Sequence, residues 1–331
     1  MNNLKELRIS NKNKLEFRKK GWTLVNLKLS QKIINNAIIG LKEMKKHAIQ
    51  KNYKPRRIYY DHLVSNNLAA IELPFNKEIC NKYIQDFFKE AKIGSLVKNL
   101  MEWNNPCCDL ARLFCMGDYK YKGNWHRDYQ SDLENIQLNS QSRNVVLVGI
   151  YLLPQKGFRI LKKDYEFNGK YSIIKNMQID KFIRTFPFPL NPPKDSYSTI
   201  DGKAGMVLFF DPLLLHQGNN YGARLDFHMK FVESTQEEIT RNSFQDFSVI
   251  DILGEDYYLN FDGYSMEDLK LKYIPMHNRS SIIQRIINSI DYRICLKRLL
   301  KIRSLKQNKN YKYIKDNGWE LDLLSNTIFQ K

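Results

Sequence analysis

The first hundred residues carry apolar side chains at helical spacing. In "SQKIINNAIIGLKEMKKHAIQ", residues 30–50, they recur every three or four positions, at Ile34, Ile38, Leu41 and Met44. Ser30 stands where a helix N-cap is expected, so we predict an amphipathic helix that begins after it. Ahead of this helix, "EFRKKGWTLVNL", residues 16–27, predicts a short strand entered through Gly21.

The next stretch is also helical, and the pattern then changes to that of strands. Residues 76–103 predict a helix with a break at Gly94 and with apolar positions at Tyr83, Phe87, Phe88 and Leu96. From residue 108 to 233 the apolar runs are short or alternating, and Gly, Pro, Asn and Asp separate them. The runs are "LARLFCM", "NVVLVGIYLLP", "GFRIL", "GMVLFFDP" and "RLDFHMKFV". This pattern predicts an antiparallel sandwich or barrel, with a Pro-rich loop at residues 186–198.

The pattern changes once more near residue 235, where we place a domain boundary. Residues 1–235 are predicted to form the β domain with its N-terminal helices, and residues 236–331 a basic, mainly helical C-terminal extension. Within the extension, residues 280–306 predict an amphipathic helix with many basic residues and a single acid, Asp291. Three roles stay open for this helix: packing on the β domain, contact with an anionic membrane, or binding of a partner.

Composition and charge narrow the class of protein. The 331 residues are 43% hydrophobic, which excludes a disordered chain, and the net charge is +18. The charge raises nucleic acid as a partner, but it is spread along a chain rich in Lys, Asn and Ile, so nucleic acid is not expected. The sequence shows neither a secretory pattern nor an apolar run of roughly 20 residues, so we expect a cytoplasmic protein. Its five cysteines lack CxxC spacing and are expected to be buried thiols.

Candidate chemistry begins at "NWHRDYQSDL", where one residue separates His126 from Asp128. On a strand these two side chains point to the same side, where both can hold one cation. Such a pair alone is weak evidence, because exposed His-Asp pairs at turns are common. Much later, His216 ends the apolar stretch "AGMVLFFDPLLLHQG". Two imidazoles and one carboxylate from separate strands form the facial triad that binds Fe(II) and leaves positions open for dioxygen and a bidentate keto acid.

An arginine follows these candidate ligands. Arg224 opens "RLDFHMKF", and a guanidinium matches the distal carboxylate of a keto acid such as 2-oxoglutarate with two parallel hydrogen bonds. On a strand, Arg224 shares one face with Asp226, His228 and Lys230, while the alternate residues Leu225, Phe227, Met229 and Phe231 form an apolar face. We therefore expect Arg224 to reach the barrel interior. His228 is expected to be a core residue rather than a ligand.

Together, "WHRD", "AGMVLFFDPLLLHQG" and the arginine of "RLDFHMKF" resemble the phytanoyl-CoA dioxygenase family of Fe(II)/2-oxoglutarate-dependent oxygenases. Arg224 and Phe231 keep the family's seven-residue spacing, and the resemblance covers roughly residues 15–235. It implies a mainly β fold with flanking helices and a double-stranded β-helix (jelly-roll, cupin-like) core. It also implies that His126, Asp128 and His216 are iron ligands at the catalytic centre. Arg224 would bind the C5 carboxylate of 2-oxoglutarate.

The resemblance has limits that bear on function. Because Asp128 is present, it implies hydroxylation rather than halogenation. The segment "HQGNNYGAR" is shorter than usual in the family, and Gly218 replaces a small hydroxylic residue, so a second 2-oxoglutarate ligand is not assigned. We expect a dioxygenase that hydroxylates a C–H bond of an unidentified small-molecule, acyl or glycan substrate, and the charge favours an anionic one. A basic C-terminal helix would suit a lipid-linked substrate and peripheral membrane contact.

Two other functions compete with this one. The first is a non-catalytic jelly-roll protein that acts through its basic C-terminal helix on membrane or nucleic acid. The second is an oxygenase acting on nucleic acid, which requires basic residues and aromatics to form one stripe beside the Pro-rich loop. Iron-dependent conversion of 2-oxoglutarate to succinate separates the first of these from an oxygenase.

Overall fold

The computed structural model describes most of the predicted β domain and two short segments of the extension. The described residues are 9–50, 59–60, 68–72, 80–104, 106–116, 120–122, 125, 145–163, 190–212, 214–221, 223–233, 258–259 and 320–321. Predictions for the ligands His126 and Asp128 and for the basic helix at residues 280–306 lie outside the described residues.

Four α-helices and one 3-10 helix are described. The helices are α1 (Asn11–Lys20), α2 (Gln31–Gln50), α3 (Lys82–Ala91), α4 (Ile93–Met101) and η1 (Lys194–Ser196). The prediction for α2 is confirmed: the Ser30 hydroxyl oxygen accepts a hydrogen bond from the Ile33 amide at 3.3 Å. Its periodic residues Ile34, Leu41 and Met44 are buried.

The structure corrects the sequence predictions at two helix ends. The strand predicted to be entered through Gly21 is confirmed at Trp22–Asn26, but residues 16–20 ahead of it are the end of α1, and Gly21 ends this helix at a φ of 77°. Sequence patterning missed α1 because none of its residues is buried. The break predicted at Gly94 occurs at Lys92, whose φ is 45°. Gly94 is itself buried within α4, and Tyr83, predicted to be an apolar position of α3, is 38% exposed.

Fifteen strands are described, most of them antiparallel to their neighbours. They are β1 (Trp22–Asn26), β2 (Tyr59–Tyr60), β3 (Leu68–Glu72), β4 (Pro106–Met116), β5 (Lys120–Lys122), β6 (Val145–Tyr151), β7 (Gln155–Leu161), β8 (Leu190–Asn191), β9 (Tyr197–Gly202), β10 (Met206–Phe210), β11 (His216–Gln217), β12 (Asn219–Tyr221), β13 (Arg224–Glu233), β14 (Tyr258–Leu259) and β15 (Glu320–Leu321). All five predicted apolar runs coincide with strands, namely β4, β6, β7, β10 and β13.

The strand order is that of a jelly roll. The large sheet has the order β1-β10-β6-β13-β4-β3-β2, and the smaller sheets have the orders β11-β7-β9 and β12-β5. Between β4 and β13 the chain passes repeatedly between the sheets. β4, β6, β10 and β13 lie in the large sheet, and β5, β7, β9, β11 and β12 lie in the two smaller ones. Two interleaved Greek keys give this order, which is the double-stranded β-helix. The predicted fold of the β domain is confirmed.

Each face of the large sheet has its own core. On one face Phe227 of β13 packs against Phe87 and Phe88 of α3, with ring centroids 6.2 and 4.9 Å apart. On the other face, residues of the large sheet pack against Ile160 and Ile200 of the three-stranded sheet. The predicted alternation along β13 is confirmed, because Leu225, Phe227, Met229 and Phe231 all join the core on the helix side. Arg224 and its alternating neighbours therefore face the smaller sheets.

Two segments of the C-terminal extension pair with strands of the β domain. β14 runs parallel to β4, with Tyr258 opposite Cys107, and β15 pairs antiparallel with β8. β8 lies in the segment predicted to be a Pro-rich loop, so this prediction is wrong for its described part, which also contains η1 and the start of β9. No helix in the described ranges has the length and apolar character needed to cross a membrane.

The prediction of buried thiols is confirmed for Cys108, which is fully buried, while Cys80 is partly buried, and neither of the two forms a disulfide. Burial raises the pKa of the Cys80 thiol to about 12, so this side chain stays protonated and unreactive at neutral pH.

A Gly21→Ala variant is expected to lose about 1–2 kcal/mol of unfolding free energy, because an L-residue is disfavoured at a φ of 77°. An added Cβ would also lie 2.3 Å from Leu214 Cδ1. Urea unfolding measures the loss. Gly149→Ala is the matched control, since its added Cβ would lie 3.6 Å or more from its neighbours, and a change within about 0.5 kcal/mol is expected. Equal losses in both variants would contradict this explanation.

Candidate metal and cosubstrate site

His216, one of the predicted iron ligands, is a buried side chain with a fixed orientation. It lies on β11, is 2% exposed, and its Nδ1 is 2.9 Å from the Leu214 carbonyl oxygen. Because a carbonyl oxygen only accepts hydrogen bonds, Nδ1 is the nitrogen that donates to it. The ring packs against Phe158 and Phe210, with centroids 5.8 and 5.0 Å away. These contacts hold the imidazole in one orientation, and its role as a metal ligand stays a prediction.

The segment that precedes His126 includes β5, which pairs with β12, the strand that follows β11 in the chain. β5 pairs antiparallel with β12, so Lys122 is opposite Asn219, three residues beyond His216. Trp125, the residue before His126, is buried, and its ring centroid lies 5.4 Å from that of Tyr197. Tyr197 is on β9, which pairs with β7, the partner strand of β11. Lys122 and Trp125, which precede His126, are thus held near His216, while the ligand roles of His126 and Asp128 stay predictions.

Arg224 forms a buried ion pair that sequence reasoning did not predict. Its Nε and Nη2 donate hydrogen bonds to the two carboxylate oxygens of Asp226 at 2.7 and 3.0 Å. The guanidinium carbon lies 3.9 Å from the centroid of the Phe114 ring. The Arg224 side chain is 16% exposed and that of Asp226 is 2% exposed. These contacts fix the guanidinium plane inside the barrel, where its predicted ligand, a carboxylate, would enter.

Tyr151 lies beside this ion pair and was also not predicted. It stands directly opposite Asp226 in the pairing of β6 with β13, and it is 5% exposed. Its ring fills the space at Gly202, where an added Cβ would lie 2.3 Å from two ring carbons. Burial and the nearby Asp226 carboxylate raise the pKa of the Tyr151 hydroxyl, so this group remains a hydrogen-bond donor.

His228 shares one aromatic neighbour with His216 and another with Arg224. Its ring centroid is 6.0 Å from Phe114 and 5.9 Å from Phe210, and Phe210 also contacts His216. Aromatic rings therefore lie between His216 and Arg224. His228 is only partly buried, so its predicted role as a core residue stays a prediction.

The described part of the chain contains no group of three or more His, Cys, Asp or Glu side chains placed to hold a metal ion. Two of the three predicted ligands lie outside that part, so the observation leaves the triad untested. What the described residues provide is one oriented imidazole, one guanidinium fixed by a carboxylate, and one tyrosine hydroxyl.

No protein-family model matches this sequence, and no curated protein does. The chain is similar to several solved structures, and three of them each align with 68% of its residues. EctD from S. alaskensis with 2-oxoglutarate and 5-hydroxyectoine has a TM-score of 0.48, 12% identity and 76% of its own length covered. AviO1 from Streptomyces viridochromogenes Tue57 has a TM-score of 0.48 and 13% identity, with 95% of its own length covered. The non-heme alpha ketoglutarate dependent carbocyclase SnoK from nogalamycin biosynthesis has a TM-score of 0.46 and 10% identity, with 84% of its length covered. Because these TM-scores are below 0.5, the fold assignment rests on this chain's own strand order, and by that order the chain is a double-stranded β-helix protein.

Proposed function

We propose that this chain is an Fe(II)- and 2-oxoglutarate-dependent oxygenase. In this proposal His126, Asp128 and His216 bind the iron, and Arg224 binds the C5 carboxylate of 2-oxoglutarate. The observation that carries the proposal is the geometry of His216, a buried imidazole whose Nδ1 donates to the Leu214 carbonyl, so that Nε2 is the nitrogen that would bind the metal. Pairing of β5 with β12, which anchors the residues before His126 nearby, supports it.

The residues present fit this metal and cosubstrate. Two neutral imidazoles and a carboxylate are the ligand set of non-heme Fe(II) oxygenases and leave open positions on the metal. When bound, Fe(II) with 2-oxoglutarate activates dioxygen, so that one oxygen atom enters a C–H bond of the substrate while 2-oxoglutarate becomes succinate and carbon dioxide. The protein's own part is to bind and orient the metal, the cosubstrate and the substrate, and to exclude water from them.

The residues around His216 and Arg224 would orient the metal ligand and the cosubstrate. The Leu214 carbonyl sets the tautomer of His216, and the Phe158 and Phe210 rings hold its plane. Asp226 holds the Arg224 guanidinium through its Nε and Nη2 atoms, which fixes the direction from which a second carboxylate can be bound. Because the interior is apolar around these groups, hydrogen bonds to the cosubstrate would be stronger there than in water.

The outcome we propose is hydroxylation of a small molecule. It follows from Asp128, a carboxylate at the position where halogenating members of the resembled family have a small residue. The substrate can be a free metabolite, an acyl group or a glycan, and the net charge of +18 favours an anionic one. The cytoplasmic location and the peripheral membrane contact through residues 280–306 stay predictions.

The test is iron-dependent turnover by the full-length chain. With Fe(II), ascorbate, 2-oxoglutarate and a fractionated metabolite extract, we expect succinate to form together with a product one oxygen atom heavier than its precursor. A chelator should abolish both, and added Fe(II), but not Zn(II), should restore them. Absence of any iron-dependent succinate under these conditions would exclude an oxygenase and favour the non-catalytic binding protein.

A further inference from the structure

The outer face of the three-stranded sheet, which points away from the barrel interior, carries a cluster of three side chains. Phe158 and Ile160 of β7 pack with the core that lies between the two main sheets. Because side chains alternate along a strand, Arg159 points to the opposite face. The Tyr197 ring lies 5.2 Å from the Arg159 guanidinium carbon, and the Trp125 ring lies 5.4 Å from Tyr197. We call Arg159, Tyr197 and Trp125 the outer cluster.

The charge of Arg159 is not balanced by any described carboxylate. Among the described residues its one hydrogen bond is long, from Nη1 to the Gln217 side-chain oxygen at 3.4 Å, and its Nε is buried without a partner. No acidic side chain in the same part of the chain forms an ion pair with it. A guanidinium binds an oxyanion through two neighbouring N–H groups, so the Nε side of Arg159 is where such a ligand would bind.

Trp125 supplies a second hydrogen-bond donor that has no acceptor. The residue is 1% exposed, and its indole N–H is buried without a partner in the described part of the chain. Leaving a buried donor unsatisfied is costly, and an unplaced ion or ligand is one of the ways such a group becomes satisfied. Trp125 and Arg159 both contact the Tyr197 ring, so a charged donor and a neutral donor meet on one aromatic surface.

The outer cluster is separate from the proposed metal site. His216 packs on Phe158 inside the barrel, whereas Gln217, the next residue, is the cross-strand partner of Arg159. The two faces of the sheet therefore share strands but no side chain. Arg159 is only half-buried, and its other cross-strand partner, Thr199, is exposed, so a small ligand can reach the cluster from solvent.

We propose that the outer cluster binds one small oxyanion, a phosphate or carboxylate group, between the Arg159 guanidinium and the Trp125 indole N–H, with the Tyr197 ring beside it. Two N–H groups of the guanidinium and one of the indole would donate to its oxygens. This inference goes beyond the proposed function and does not depend on it, because neither iron nor a keto acid takes part.

The indole N–H itself reports on binding. The chain has four tryptophans, so the full-length protein labelled with ¹⁵N-tryptophan gives four indole resonances, and the one missing in Trp125→Phe belongs to Trp125. The protein is titrated with inorganic phosphate and, separately, with acetate, in the presence of a chelator that removes metal. We expect the Trp125 resonance to shift and saturate while the other three stay in place. The anion that saturates at the lower concentration identifies the class of ligand.

Three variants make the result specific. Arg159→Gln should abolish the saturable shift, because it removes the charge and the paired donors. Arg159→Lys keeps the charge but not the planar pair of donors, and should weaken binding about tenfold. Lys156→Gln is the matched control: it removes one positive charge from an exposed position on the same strand and should leave the affinity unchanged.

A second measurement keeps the test decisive if Arg159→Gln fails to fold. A bound anion raises the apparent melting temperature, and this gain should fall in both Trp125→Phe and Arg159→Lys. A saturable shift that depends on Arg159 supports the anion site. Absence of a saturable shift with both anions, or the same shift in Arg159→Gln as in the natural chain, refutes it. Since metal is absent throughout, neither result changes the evidence for the proposed oxygenase.

Discussion

A His216→Ala variant is expected to lose iron-dependent succinate formation and to bind Fe(II) at least about a hundredfold more weakly than the natural chain. Loss of a residue that only orients a ligand typically costs ten- to a hundredfold in metal affinity, and loss of the ligand itself should cost no less. His216 is buried, and its Nδ1 proton is held by the Leu214 carbonyl.

Fe(II) affinity is measured by anaerobic titration, with succinate formation as the second readout. His47→Ala is the matched control, because His47 is exposed in the last turn of α2, on the helical side of the large sheet. His126→Ala should behave like His216→Ala in both measurements. Unchanged Fe(II) affinity in a folded His216→Ala protein would remove this residue from the metal site and with it the geometric basis of the proposed function.

The long strands could be predicted because each one carries its pattern locally. β6 and β10 are apolar runs buried on both faces, and β13 alternates between the helix-side core and the interior. Periodicity of this kind depends only on neighbouring residues in the chain, so one sequence suffices to find it. The strand order could not be found in that way, and the jelly roll followed from family resemblance rather than from patterning.

Short and polar elements escaped prediction for a physical reason. β5, β11 and β12 are two or three residues long, and they form because an existing strand offers them hydrogen-bonding partners. The segment "HQGNNYGAR" therefore shows no strand pattern, although most of it pairs with β5 and β7. Similarly, the break after α3 falls at Lys92, because packing of Ile93 and Leu96 outweighs the modest penalty for a lysine at positive φ.

The candidate site was predicted as single residues, and its contacts were not. Arg224 and Asp226 were expected on one strand face, but a shared face does not reveal whether two side chains pair with each other or with a ligand. Tyr151 was missed altogether, since its position opposite Asp226 depends on the register between β6 and β13. Register between strands far apart in sequence is set by the whole sheet, and a single sequence does not contain it in readable form.

The ion pair leads to the largest expected effect on stability. Asp226→Ala would leave the guanidinium of Arg224, which is 16% exposed, without its bidentate partner inside the barrel. Removing one member of a buried pair typically costs about 3–5 kcal/mol, because the remaining charge is left uncompensated. We therefore expect the unfolding free energy to fall by about 3 kcal/mol, measured by urea denaturation, with the lower figure reflecting the partial exposure of Arg224.

Two matched variants decide whether this loss comes from the uncompensated charge. Asp86→Ala breaks the Lys82–Asp86 pair on α3, whose side chains are 82% and 41% exposed, and should change stability by no more than about 0.5 kcal/mol. The double variant Arg224→Met/Asp226→Leu removes both charges and should recover most of the stability, since well-packed apolar residues often replace a buried ion pair without loss. That protein should still fold but no longer bind 2-oxoglutarate, because the guanidinium is gone. If the double variant is as unstable as Asp226→Ala alone, the loss arises from packing around Phe114 and Tyr151 and not from the charge.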